Sequence, residues 1–164
     1  MALITEDGTA KSNAESLASV AAADTRLAAM GMTTWATLST TEKEQALRRS
    51  TAWMIQTYRS RWKGSRLTST QALDWPRYNV CVDGWLISSA IVPLDVVNTC
   101  IDMAFKAAAG DLTPDLAQAV KSKKVGSVEV VYQDNSNAAA SYRAADRALA
   151  AYLSGGGGIR IVRA

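Results

Sequence analysis

A mainly α fold is what this sequence predicts: a small bundle of about four helices with a short β-hairpin and an extended C-terminal arm. Three observations predict it. Apolar residues recur at three- and four-residue spacing in segments that begin on capping residues and end near glycine. An Asp-Gly pair at 83–84 sits between two short β-prone runs. A run of four glycines, Gly155 to Gly158, separates the last helical pattern from an alternating tail. The 164 residues are the length of one ordinary domain. Residues 1–154 are therefore read as one helical domain, and 155–164 as a hinge and an arm.

The first helical segment is alanine-rich and stops at Gly31. Its start is open between a capping-box form at Ser12–Glu15 and a shorter helix capped by Ser19. Gly31 to Ser39 reads as a connector carrying Trp35. The second helix starts in overlapping capping boxes, Ser39–Glu42 and Thr41–Glu44, and is expected to end at Lys63-Gly64. Ala46, Leu47, Trp53, Met54, Thr57 and Tyr58 share one side; Arg48, Arg49, Gln56, Arg59 and Lys63 share the other. Such a helix buries its aromatics and offers a basic outer face.

Ser65 to Val80 reads as irregular, with Pro76 forcing Trp75 into an extended conformation. Val80 to Ile87 reads as two strands around Asp83-Gly84. The third helix is expected from Pro93 as first helical residue to Gly110. Its apolar arc of Val96, Val97, Cys100, Ile101, Ala104, Phe105 and Ala108 is wide enough to mark the central buried helix, with Asp102 and Lys106 spaced for an ion pair. Val125 to Tyr132 has strong β propensity and no evident local partner. Ala138 to Leu153 reads as a last amphipathic helix, with Arg143 and Arg147 on its flank. Ile159-Arg160-Ile161-Val162-Arg163 then alternates like a strand. Behind a glycine hinge, it is open between a frayed end and an arm that adds as a strand to a neighbouring molecule, with the unpartnered Val125–Tyr132 strand as a fitting acceptor or co-donor.

Composition narrows the chemistry. There are 18 Lys plus Arg against 15 Asp plus Glu, a net charge of +3, and no histidine. That removes Ser–His–Asp, Cys–His and His-based metal sites. Cys81 and Cys100 are too few for a zinc site, and whether they pair is open. Cys100 lies in the apolar helical pattern and reads as a small core residue. No phosphate loop or dinucleotide fingerprint is present, and no cofactor or catalytic residue is expected. The start of the chain carries no apolar signal core, and no stretch approaches a membrane span, so a soluble intracellular protein without a membrane partner is the simple expectation.

The basic excess is local. Lys43, Arg48, Arg49, Arg59, Arg61, Lys63, Arg66 and Arg77 lie in a segment opposed only by Glu44 and Asp74, with Trp53, Tyr58, Trp62 and Trp75 interleaved. That is the composition of a single-strand-binding groove. The helical wheel favours instead a solvated basic face over a tryptophan core, because Trp53 and Tyr58 fall opposite the arginines.

Several pieces together resemble a known family. They are Thr41–Leu47 (TEKEQAL), Trp62–Arg66 (WKGSR), Gln71–Arg77 (QALDWPR), Ile91-Val92-Pro93 and Lys124–Tyr132 (KVGSVEVVY). Their order and spacing resemble the head–tail connector, or adaptor, proteins of tailed bacteriophages, which are often labelled DnaT-like single-stranded-DNA-binding proteins. The alanine-rich N-terminal helix departs from the family, where an aromatic would stand near its start. The resemblance implies a non-catalytic homo-oligomeric ring, usually dodecameric, in the neck of the virion under the portal protein. Such a ring meets the tail or a tail-terminator or nozzle protein, and genomic DNA passes through its lumen without sequence specificity. The label's alternative is a single-stranded-DNA-binding protein acting in phage replication.

The family has no active-site motif to transfer, so the residue assignments come from the chain. Ile159, Arg160, Ile161, Val162 and Arg163 are expected to contact the portal or an adjacent protomer. Arg48, Arg49, Arg59 and Lys63 are expected to face the DNA channel or an acidic partner. Trp75, Pro76 and Arg77 are expected to fix the fold of their loop.

Overall fold

The structure, a computed structural model, describes residues 2–113, 122–125, 128–131 and 142–155. It is mainly α with short antiparallel strand pairs. The described helices are α1 (Val20–Ala29), α2 (Thr33–Ala36), α3 (Thr40–Tyr58), α4 (Leu94–Ala109) and α5 (Arg143–Leu149), the last running into a 3-10 turn at Ala150–Tyr152. The strands pair as β1 (Ser65–Arg66) with β2 (Arg77–Tyr78), β3 (Cys81–Val82) with β4 (Trp85–Leu86), and β5 (Ser122–Val125) with β6 (Val128–Val131).

Ser19, not Ser12, starts the first helix: its hydroxyl accepts from the Ala22 amide at 3.1 Å. The Ser12 alternative loses because Glu15, which would complete that box, is spent on Arg48 and on the Ile4 amide. The helix ends as the glycine signal requires. Gly31 takes φ +73°, its amide bonds the Ala28 carbonyl at 3.0 Å, and the Met32 amide bonds the Leu27 carbonyl at 2.9 Å. One turn of helix, α2, then carries Trp35 into the core.

The capping box of α3 forms as read, with the Ser39 hydroxyl and the Glu42 carboxylate satisfying each other's backbone amides. Its end differs: α3 stops at Tyr58, not at Lys63-Gly64. Arg61 and Trp62 both turn back onto the Tyr58 carbonyl, Trp62 bridges antiparallel to Leu153, and the Lys63 amide bonds the Tyr152 carbonyl. Burying Trp62 against the C-terminal turn outweighs another turn of helix.

Helix α4 lies at the centre, packed against α1, α3 and α5. Val96, Cys100, Ile101, Met103, Ala104 and Ala107 are all buried. Pro93 stands just before the first helical residue rather than inside it. Ser50 of α3 donates to the Cys100 carbonyl at 2.6 Å, and so satisfies a hydroxyl in the dry α3–α4 interface. The Asp102–Lys106 pair read from spacing does not form. Arg26 of α1 takes Asp102 in a fork, Nε to Oδ1 and Nη2 to Oδ2 at 2.9 Å each, a geometry that a lysine one turn away cannot offer.

The strand beginning at Val125 does have a local partner, contrary to expectation. β5 and β6 pair with Val125 opposite Val128, so only Gly126 and Ser127 separate them in sequence. A two-residue Gly-containing connection is a hairpin signal that the lysine run before it obscured. The hairpin at Asp83-Gly84 forms as read, with φ +50° and +85° at the two turn residues. The β1–β2 pair, in a stretch read as irregular, was not anticipated. Of the last helical pattern, residues from Tyr142 onward are described and their helix is shorter than read; Ala138 lies outside the described residues.

Candidate functional site

The basic segment folds around an aromatic spine. Trp53 stands edge-on to Tyr142 (5.3 Å between ring centroids) and to Tyr58 (5.6 Å). Tyr58 meets Trp62 at 5.7 Å, Trp62 meets Trp75 at 5.5 Å, and Trp75 meets Tyr152 at 5.9 Å. Edge-to-face rings at these separations attract beyond their area burial. Trp53, Tyr58, Trp62 and Trp75 are all buried. Their faces are taken by one another, so they offer no stacking platform for bases.

The cations around the spine are largely committed. Lys43 pairs with Asp24 at 2.9 Å and lies over the Trp35 ring. Arg48 pairs with Glu15 at 2.9 Å and Glu44 at 3.5 Å. Glu15 is held below the usual carboxylate range, first by its hydrogen bond from Arg48 and then by the Ile4 amide. Arg59 approaches Asp74 at 3.8 Å, and Arg61 approaches Asp146 at 3.6 Å while lying over the Tyr58 ring. Lys63 donates to the carbonyls of Ala151 (2.7 Å) and Cys81 (3.2 Å). Arg66 donates to the Gln71 carbonyl. Arg49 is exposed and has no charge partner among the described residues.

The four residues read as one basic face thus part company. Arg48 turns to the N-terminal segment, Arg59 to the Asp74 loop and Lys63 to the C-terminal turn, leaving Arg49 open. Trp75, Pro76 and Arg77 sit in the interior. Trp75 is 0% exposed, and the Arg77 guanidinium donates to the carbonyls of Lys63 (2.8 Å), Gly64 (2.7 Å) and Asp74 (3.2 Å). Ile159, Arg160, Ile161, Val162 and Arg163 lie outside the described residues. Cys81 and Cys100 are both free thiols, Cys81 exposed and Cys100 buried.

Sequence reasoning missed an exposed apolar rim. Trp85 is 79% exposed, Leu86 73%, Leu94 71% and Ile91 47%, spread over the β3–β4 hairpin and the entry to α4. Two-residue strands carry too little alternation to show which side is wet. The signal in the sequence was the Trp85-Leu86 pair standing directly after the Asp83-Gly84 turn. Among the described residues no cluster of His, Cys, Asp and Glu could hold a metal ion, and no helix is long and apolar enough to cross a membrane.

Fold and surface together define a mainly α protein with an aromatic interior, a basic flank whose cations are mostly held by carboxylates or carbonyls of the same chain, and a hairpin with exposed apolar side chains. A family model described as "Putative DnaT-like ssDNA binding protein" matches residues 1–164, and the chain belongs to that family. No curated protein and no solved structure matches it. The match bears on the DnaT-like label of the resemblance and is silent on a connector role.

Proposed function

We propose that the chain is a non-catalytic structural protein that assembles with copies of itself as the head–tail connector of a tailed phage. In this reading it forms a ring at the virion neck, under the portal, that lengthens the DNA channel and seats the tail. The observation that carries it is the division of the surface. Between Lys43 and Arg77 the basic side chains other than Arg49 are held by carboxylates or carbonyls of the same chain, whereas large apolar side chains of the hairpin and the start of α4 face solvent. Exposed apolar groups of this size favour a protein partner, because burying them is favourable at roughly 25 cal/mol per Å². A wall whose cations are already paired lets DNA slide past it instead of gripping it.

The family's description favours a second reading, a single-stranded-DNA-binding protein acting in phage replication. Burial of the spine aromatics weighs against base stacking, so this reading would rest on phosphate contacts by residues such as Arg49. The two are separated by titrating a fluorescent oligonucleotide at low and moderate salt, and by gel filtration with the phage's portal assembly. The connector reading expects co-elution with portal and weak binding to oligonucleotide. Tight, salt-sensitive binding that weakens several-fold on Arg49→Ala, with no portal association, would establish the second reading instead.

A further inference from the structure

We propose that the open edge of β4 is the acceptor for the Ile159–Arg163 segment of a second copy of this chain, added as an antiparallel or parallel third strand beside Trp85 and Leu86. The proposal rests on the connector reading, which requires contact between copies, and adds to it the surface that makes the contact.

The hairpin's hydrogen-bond pattern shows which edge is open. The Ile87 amide donates to the Val80 carbonyl at 2.8 Å, so Val80 and Ile87 form a bonded pair. In an antiparallel ladder bonded and non-bonded pairs alternate, which makes the next pair, Cys81 and Leu86, a non-bonded one. Their N–H and C=O groups therefore point out of the hairpin. On the β3 side the Cys81 carbonyl is taken by Lys63. On the β4 side no described residue takes the groups of Leu86. An unpaired edge of this kind is a template for one more strand.

The side chains and charges around that edge suit this occupant. Trp85 and Leu86 are exposed apolar groups on its opposite faces, and Ile159, Ile161 and Val162 would cover them from either face of an added strand. Asp83, exposed in the turn that leads into β4, puts a negative charge at the end of this edge. Arg160 and Arg163 supply the opposite sign. The described chain leaves the body at Gly155, next to Ser154, whose amide bonds the Arg61 carbonyl, on the β3 side of the same hairpin. Residues 156–164 can reach about 30 Å from there when extended, enough to cross to a neighbour.

The test is a disulfide trap in a Cys81→Ser background, with buried Cys100 left in place. Protein carrying Leu86→Cys is mixed with protein carrying Ile161→Cys, oxidised alone and on portal, and run without reductant. A covalent dimer that forms only in the mixture is the expected result. A second pair, Trp85→Cys with Arg160→Cys, covers a register shifted by one residue. If the double variant Leu86→Cys/Ile161→Cys links only within one chain, the proposal is overturned in favour of self-docking. Absence of any link in protein that light scattering shows to be assembled overturns this contact and leaves the connector reading intact. Absence of both link and assembly removes both.

Discussion

Asp74 is 2% exposed, and neither carboxylate oxygen has a hydrogen-bond partner among the described residues. Burial pushes its carboxyl upward, against the pull of Arg59, Arg77 and Arg66. The unfolded chain then releases this proton before the folded one does. Between the two values the folded state binds more protons, so stability falls as pH rises through that window. Asp74→Asn should therefore gain stability relative to the parent as pH rises above the ordinary aspartate range, read as urea midpoints. Wild type gaining on the variant instead would mean that the arginines hold the carboxylate ionised. Glu15, held low by Arg48, carries the opposite sign: its contribution is lost as pH falls through its folded value. Cysteine gives a simpler check. Cys81 should react with a thiol reagent in the native protein, and Cys100, whose thiol burial pushes up, only after unfolding. Cys100 was legible as a core residue from helical spacing alone. The fates of Arg48, Arg59 and Lys63 were not, because their partners lie on other elements and no local pattern names Glu15 or the Ala151 carbonyl.

At the scale of elements, local chemistry was legible where it was self-contained. The Ser39–Glu42 box, the Gly31 stop and the Asp83-Gly84 turn each close on residues within a few positions, and each formed. Ser39→Ala should cost about 1 kcal/mol in chemical denaturation, the typical worth of such a cap. What failed depended on distant contacts. The end of α3 is set by Trp62 bridging to Leu153 and by the Lys63 amide bonding the Tyr152 carbonyl, about ninety residues on in the chain. Asp102 chose Arg26 over Lys106 for the same kind of reason. The aromatic spine joins these distant pieces, so Trp75→Ala should be among the most damaging substitutions, at roughly 3–5 kcal/mol, lowering the thermal midpoint without altering any surface charge. The apolar rim was visible only once the hairpin was seen to project, since its strands are too short to show a wet and a dry side.

At the scale of the molecule, the absence of histidine and the mild charge first pointed away from catalysis and toward surfaces. The distribution of that charge then mattered more than its sum. Cations that composition alone would assign to a nucleic-acid groove are mostly held by carboxylates and carbonyls of the same chain. The apolar rim faces outward beside them, and assembly is the use proposed for it. Replacing Trp85 and Leu86 with aspartate should leave the far-UV spectrum and urea midpoint nearly unchanged, because both side chains are already in water, while abolishing assembly. The most direct measurement of the central claim is the mass, by light scattering, of the protein mixed with its phage's portal assembly. A portal peak heavier by a whole ring of these chains, lost in the Trp85→Asp/Leu86→Asp variant, is the result expected. A portal peak of unchanged mass, with this protein eluting at the mass of a single chain, would contradict it.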